Sequence, residues 1–357
     1  MKKMTPALSA KFANMGLLCA CMVVLRHIGL VPNKDGPVWW VWQLFVSYDA
    51  LTMVAVPFFF LASGFFLGGH IGERNWYCAE VVKRVRSLLV PFFLWNVAFF
   101  VFMIGLEFVS AAVGFNPRMP MPAHESFGDV VNAVGLNPFC SPVLGPLWFV
   151  RTLFLFVLVS PMLARIWRVS RMVVAFVVMI VVVSFAMRYG TDAVRQIIEY
   201  TFSLEGVLYF ALGIGLRRRQ VGMQVGKHAG RAALWLGILI FVGMALFRRF
   251  GGDVFLVPVR LIGTALLMYG MWSVIPERRV LGAYSDIVFP IYLMHKFFLV
   301  ILAGIVSCLG WREYVTQKSV ILYFGRLLVV LLLARLSVSF MRRFVPRIAA
   351  WLFGGRG

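Results

Sequence analysis

The sequence predicts an all-α, polytopic membrane bundle of about ten transmembrane helices, with both termini cytoplasmic and a single domain over 1–357. Three observations predict it. Apolar residues make up 61% of the chain and charged residues only 14%, at a mean hydropathy of +0.88, the composition of a protein whose solvent is lipid. Apolar runs of about 20 residues, the length that crosses ~30 Å of hydrocarbon as a helix, recur along the chain. Lys and Arg then sort by side: 21 fall in segments assigned to the inner face and eight in outer loops (Lys34, Arg118, Arg188, Arg195, Arg248, Arg249, Arg312, Lys318). The formal charge of +21 is therefore a topology signal, and no basic soluble module calls for nucleic acid.

The first span, 12–31, follows Lys2, Lys3 and Lys11, so it runs outward and carries Arg26 and His27 into the outer half of the bilayer. Arg at a helix centre costs roughly 2.5–3.5 kcal/mol on insertion scales, so buried ionisable groups are expected to face a polar cavity. An imidazole takes up and returns a proton near neutral pH, which makes His27 a candidate general base. A histidine bonded to a neighbouring carbonyl is the alternative.

Trp39, Trp40 and Trp42 read as an interfacial belt in a short outer loop before the second span, 45–69. In that span Pro57 is expected to bend or interrupt the helix, and Ser63-Gly64 to admit a neighbouring backbone. Lys83, Arg84 and Arg86 sit on the inner side just before the third span, 88–113. They suit either lipid phosphates or the phosphates of a soluble cofactor, since Arg offers paired donors. The outer connection 114–145, rich in Pro and Gly and holding His124, Glu125 and Asp129, is long enough for a lid or binding loop.

The fourth span, 146–165, opens with GPLWFVRTLF, which sets Arg151 about a turn inside the outer boundary. Further spans are expected at 171–188, 200–217, 231–250 and 254–275. The ninth, 286–309, holds His295 and Lys296 about midway, closer to the inner side than His27; that depth assigns them to a passage rather than to the outer pocket. The tenth is 319–340. Arg26, Arg151, Arg260 and Arg326 share the depth of His27, with Glu107 nearby. Four cations at one level repel unless they face an aqueous pocket or an anion. Of five cysteines, Cys140 and Cys308 both map to the outer side, where a pair is allowed though no spacing pattern asks for one. Neither CxxC nor HExxH is present, so no metal is expected.

Five segments in this order resemble the acyltransferase type 3 family: MVVLRH (22–27), VPFFFLASGFF (56–66), KRVRSLLVPFFLWN (83–96), PLWFVRTLFL (146–155) and FPIYLMH (289–295). The resemblance implies transfer of an acyl group, usually acetyl, from cytoplasmic acyl-CoA to a hydroxyl of a surface glycan or glycolipid, in a bacterial inner membrane. His27 falls on the family's first-helix histidine. Lys83, Arg84 and Arg86 fall on its basic motif, where they would hold the donor, acetyl-CoA or another acyl-CoA. Trp148, Phe149 and Arg151 fall on its Trp-Phe-x-Arg segment. The expected catalytic set is His27, Arg26 and Arg151, with Arg260, Arg326 and Trp148 toward the acceptor. Three positions depart from the family pattern: Gly16 where many members carry a basic residue, Met53 where Arg often stands, and Thr152 where an acidic residue is common.

A rival class is a non-enzymatic carrier of an anionic solute or lipid-linked sugar. It explains the outer arginines and His295-Lys296 without a catalyst, but no inverted repeat is evident.

Overall fold

A computed structural model describes residues 4–29, 37–47, 50–112, 124, 126–137, 140–166, 203–219, 226–249, 257–311 and 320–355. The expected span 171–188 lies outside them, as do Lys34, Arg118, Glu125, Arg188, Arg195, Arg312 and Lys318. Among the described residues there is no strand, and seven helices are long and apolar enough to cross a membrane. The protein is an integral membrane helical bundle.

Helix α1 (Pro6–His27) starts where Thr5 caps the Leu8 amide at 3.2 Å and Pro6 supplies a first position that needs no N–H. Its 22 residues extend about 33 Å, close to the ~30 Å of a hydrocarbon core. Arg26 and His27 occupy its last turn.

The expected second span proves to be divided. Trp39, Trp40 and Trp42 lie in a short helix, α2 (Pro37–Phe45), rather than a loop. A 3-10 turn (Leu51–Val54) then leads into α3 (Ala55–Gly68). The break therefore precedes Pro57, which sits in the first turn of α3, where a missing N–H costs little. Ser63-Gly64 does admit a backbone: a Cβ on Gly64 would fall 2.0 Å from the Phe210 carbonyl in the helix Leu204–Arg218, and one on Gly213 of that helix would fall 2.0 Å from the Leu61 carbonyl of α3. Small residues at such a crossing let two helices pack backbone to backbone.

Helix α4 (Trp76–Arg84), a π-helical turn (Val85–Leu89) and α5 (Val90–Ala112) run on without interruption. Lys83, Arg84 and Arg86 are thus inside a helix, not ahead of one. The apolar-run criterion missed this because α4 is polar, and polar sequences form helices as readily as apolar ones. The π turn has a local cause. Pro91 lacks the N–H that would bond the Ser87 carbonyl, and the Val90 amide reaches back five residues to Val85 instead.

In the long connection, α6 (Phe127–Ala133) is started by a capping box between Ser126 and Asp129. A 3-10 turn then enters α7 (Trp148–Ile166). The chain continues through α8 (Leu204–Arg218), α9 (Lys227–Arg249), α10 (Val257–Val274) and α11 (Gly282–Ser285). It ends with α12 (Val288–Cys308), α13 (Val320–Phe344) and a short α14 (Pro346–Leu352) that the sequence reading did not anticipate. Cys140 and Cys308 are both free thiols.

Two contacts set α12 against α1. Buried Asn14 donates to the carbonyls of Pro276 (3.0 Å) and Arg278 (2.8 Å) and accepts from the Val280 amide (2.9 Å). This clasp ties the segment before α11 to the first half of α1. Two residues on, a Cβ at Gly16 would meet Val288, the first residue of α12, at 3.9 Å. So α12 begins level with the middle of α1, not with its start.

Candidate functional site

Two groups of chemistry-bearing side chains emerge, one at each end of α1.

At its end, the His27 and His295 rings lie 5.2 Å apart between centroids. The sequence reading sets His295 further in than His27, which the register bears out, and assigns it to a separate passage, which the ring contact corrects. With Gly16 level with Val288, His27 is eleven residues on and His295 seven, a difference of about 6 Å at 1.5 Å per residue. His295 is fully buried, and its Nδ1 lies 2.6 Å from the Tyr292 carbonyl. Tyr292 in turn donates its hydroxyl to the Pro146 carbonyl just ahead of α7.

A run of rings joins four of the five resembling segments here. Phe60 of α3 packs on Phe149 of α7 (4.7 Å), Phe149 on Tyr292 of α12 (5.7 Å), Tyr292 on His295 (5.9 Å), and His295 on His27 of α1. Trp148 flanks this run, 6.5 Å from both Phe60 and Phe149.

The predicted arginines divide. Arg326 of α13 stays at this end of α1, its Nη2 3.5 Å from the Gly29 carbonyl; one turn earlier, the Tyr323 hydroxyl donates to the Leu25 carbonyl at 2.7 Å. Arg26 projects elsewhere, as consecutive helical residues must, and its Nη1 donates to the carbonyls of Val46 (3.1 Å) and Ser47 (2.7 Å) beyond α2. Arg151, only 6% exposed, donates from Nη1 to the carbonyls of Asn137 and Cys140, both at 3.0 Å. Each clasps a connecting segment, where a buried carbonyl needs a donor. Arg260 forms an ion pair with Glu205 of α8. Glu205 is thus the anion that one of the four arginines faces, in place of the Glu107 that the sequence set near their depth.

At the other end of α1 lies a cavity of about 810 Å³, within the size range of small-molecule sites. It is lined by Met4, Lys83, Arg84 and Arg86, by Arg217 from the end of α8, and by Gly354 and Gly355 after α14. Among the described residues no carboxylate lines it. Buried Glu80 stands behind, with an oxygen 2.6 Å from Arg84 and another 3.5 Å from Lys83. A buried carboxylate that holds Arg84 from the rear fixes where the guanidinium sits while leaving the wall cationic. The Ser87 hydroxyl also faces this cavity, buried and without a partner among the described residues.

The C-terminus completes that wall. Trp95 donates to the Leu352 carbonyl at 2.9 Å, and Phe353 is buried close to the Trp95 ring, 6.3 Å between centroids. Gly354 then crosses at φ +63°, where a Cβ would fall 2.5 Å from the Ser87 carbonyl. Only glycine fits both the left-handed backbone and the gap. Arg217, Ser87, Gly354, Gly355 and His295 are what sequence reasoning missed as parts of these two sites. The Trp95-to-Leu352 closure joins residues 257 positions apart and leaves no local sequence signal.

Residues 17–339 match the family model described as an acyltransferase domain, that of the acyltransferase type 3 family. The chain is similar to the succinoglycan biosynthesis protein ExoH of Rhizobium meliloti (strain 1021), at 24% identity over 98% of this chain and 92% of that protein. No solved structure gave a significant match. A family match over nearly the entire bundle sets the non-enzymatic carrier aside: the chain belongs to the acyltransferase type 3 family and is a membrane-embedded acyltransferase.

Proposed function

We propose that this enzyme moves an acyl group, acetyl in the simplest case, from cytoplasmic acyl-CoA to a hydroxyl of an extracytoplasmic glycan or glycolipid. The similarity to a succinoglycan biosynthesis protein favours a polysaccharide or its lipid-linked precursor as acceptor. One observation carries the reading: a cation-walled cavity and an imidazole pair stand at opposite ends of α1, a helix of bilayer length. The Lys/Arg bias puts the cavity on the cytoplasmic side, where acyl-CoA is made, and His27 toward the outside.

In this scheme the donor's phosphates dock on Lys83, Arg84, Arg86 and Arg217. Its pantetheine arm enters the bundle and presents the thioester to His27. His27 removes the proton of the acceptor hydroxyl, and the alkoxide attacks the acyl carbon. Arg326, a cation at the same end of α1, stabilises the oxyanion, a contribution of up to about 3–4 kcal/mol for a well-placed donor, while Arg26 holds the segment after α2. Arg151 and Arg260 act by holding the connecting segment and Glu205, and Trp148 borders the acceptor. A bacterial inner membrane is the proposed location.

The test expresses wild type and His27→Ala at matched levels in the native host and feeds isotope-labelled acetate. Surface glycans and lipids are then assayed for base-labile labelled esters. Esters present with wild type and lost with the variant are expected. Esters indifferent to His27→Ala end the role of that residue. No ester with acetate or with any other labelled acyl precursor ends the reading.

A further inference from the structure

Resting on the transferase reading above and deepening it, we propose that His295 is a positioning residue for His27: its Nε2 accepts an N–H from the His27 ring. That bond selects which His27 nitrogen faces the acceptor hydroxyl, and it holds the imidazolium that forms when the hydroxyl gives up its proton.

The tautomer of His295 follows from its partner. Nδ1 lies 2.6 Å from the Tyr292 carbonyl oxygen, which can only accept, so Nδ1 carries the hydrogen. In a neutral ring Nε2 is then a lone pair. That atom is buried and has no hydrogen-bond partner among the described residues. A dry, orphaned acceptor is a cost that a functional arrangement removes. The group beside it is the His27 ring, 5.2 Å between centroids and inclined by 37°, a separation that one N–H···N bond of about 3 Å spans once the nitrogens face each other. The charged groups that act on the two rings are Lys296 on α12 and Arg26 on α1, both donors without an accepting atom, so neither replaces Nε2 as acceptor.

His295 is itself held from two sides. Its Nδ1–H is fixed within α12, and Tyr292 is tied by its hydroxyl to Pro146 and by its ring to Phe149. An acceptor that does not move serves as the orienting partner of a base, the part a carboxylate takes in a serine-histidine-aspartate triad. In the step itself, the hydroxyl oxygen bonds to the acyl carbon as its proton passes to the outward nitrogen of His27. The carbon–sulfur bond then breaks and the thiolate takes that proton. His27 returns to neutral, its other N–H still on His295.

The experiment compares His295→Leu with His295→Gln, whose amide oxygen replaces Nε2 as acceptor, each in wild-type and His27→Ala backgrounds. The readout is base-labile ester from labelled acetate in the native host, per amount of monodisperse protein extracted from the membrane. His295→Leu is expected to lose roughly a hundredfold, the scale of a misplaced catalytic group. His295→Gln should recover most of that, and His295→Leu should cost nothing further in the His27→Ala background. Equal losses from Leu and Gln, or the same Leu loss with and without His27, would mark His295 as packing alone and overturn the proposal. Where the His27→Ala background falls below detection, the Leu-against-Gln difference decides. Wild-type ester surviving His295→Leu overturns only this inference, whereas absence of ester from wild type overturns the transferase reading.

Discussion

The two ends of the bundle are built on opposite principles. The cation-walled cavity is assembled largely from one helical segment, Lys83 to Ser87, and gains Arg217 and the C-terminal glycines around it. Its charges border open space, and one buried carboxylate, Glu80, steadies them. The imidazole pair draws its two members from positions 27 and 295, and packed aromatic rings enclose it. A binding site for a multiply charged group tolerates redundancy, because several cations share the work. A site that moves one proton does not. The contrast predicts graded losses at one end and all-or-none losses at the other.

His27→Ala should show the largest effect, a fall in ester formation of about 10²–10⁴-fold, the usual worth of a positioned acid or base. Binding of CoA to purified protein should be unchanged; weakened binding would mean that the ends are not separate sites. Next, Arg86→Glu is expected to raise the KM for acyl-CoA by about ten- to a hundredfold, the worth of one charge-assisted hydrogen bond. Its kcat should change little, and a fall in kcat without a change in KM would move Arg86 out of the donor site. Removing residues 346–357 should weaken CoA binding several-fold by opening the wall made by Gly354 and Gly355. The same truncation tests whether α14 serves the cavity or merely covers Trp95, since only the first role changes affinity, read by isothermal titration. The smallest effect is expected from Asn14→Ala. It removes three hydrogen bonds worth about 0.5–1.5 kcal/mol each and loosens the register of α12 on α1. Thermal stability in detergent should drop by several degrees, and ester formation should fall with it if that register places His295.

Most of the spans were legible because length and apolarity alone decide which segments enter lipid; the expected 146–165, 231–250, 254–275, 286–309 and 319–340 all correspond to helices. What failed was lateral packing. Hydropathy does not say which spans face one another, whereas Asn14 and Gly16 set α12 directly against α1, and that contact unites His27 with His295. Polar helix was also invisible to the apolar criterion, which is why α4 was read as a loop. Charge partners far apart in sequence escaped as well: Glu205 meets Arg260 across 55 positions. The basic motif and His27 were readable because each is a local feature of sequence; their supports were not.

The run of rings from Phe60 to His27 bears on something the enzyme must avoid. Membranes hold ion gradients, and any membrane protein open to both faces threatens to short-circuit them. Phe60, Phe149, Tyr292 and His295 are all buried, and interiors packed to this degree leave few voids larger than a water molecule. No continuous file of water fits through such a stack to conduct protons. Aromatic bulk at this level thus insulates the membrane while the chemistry proceeds beside it.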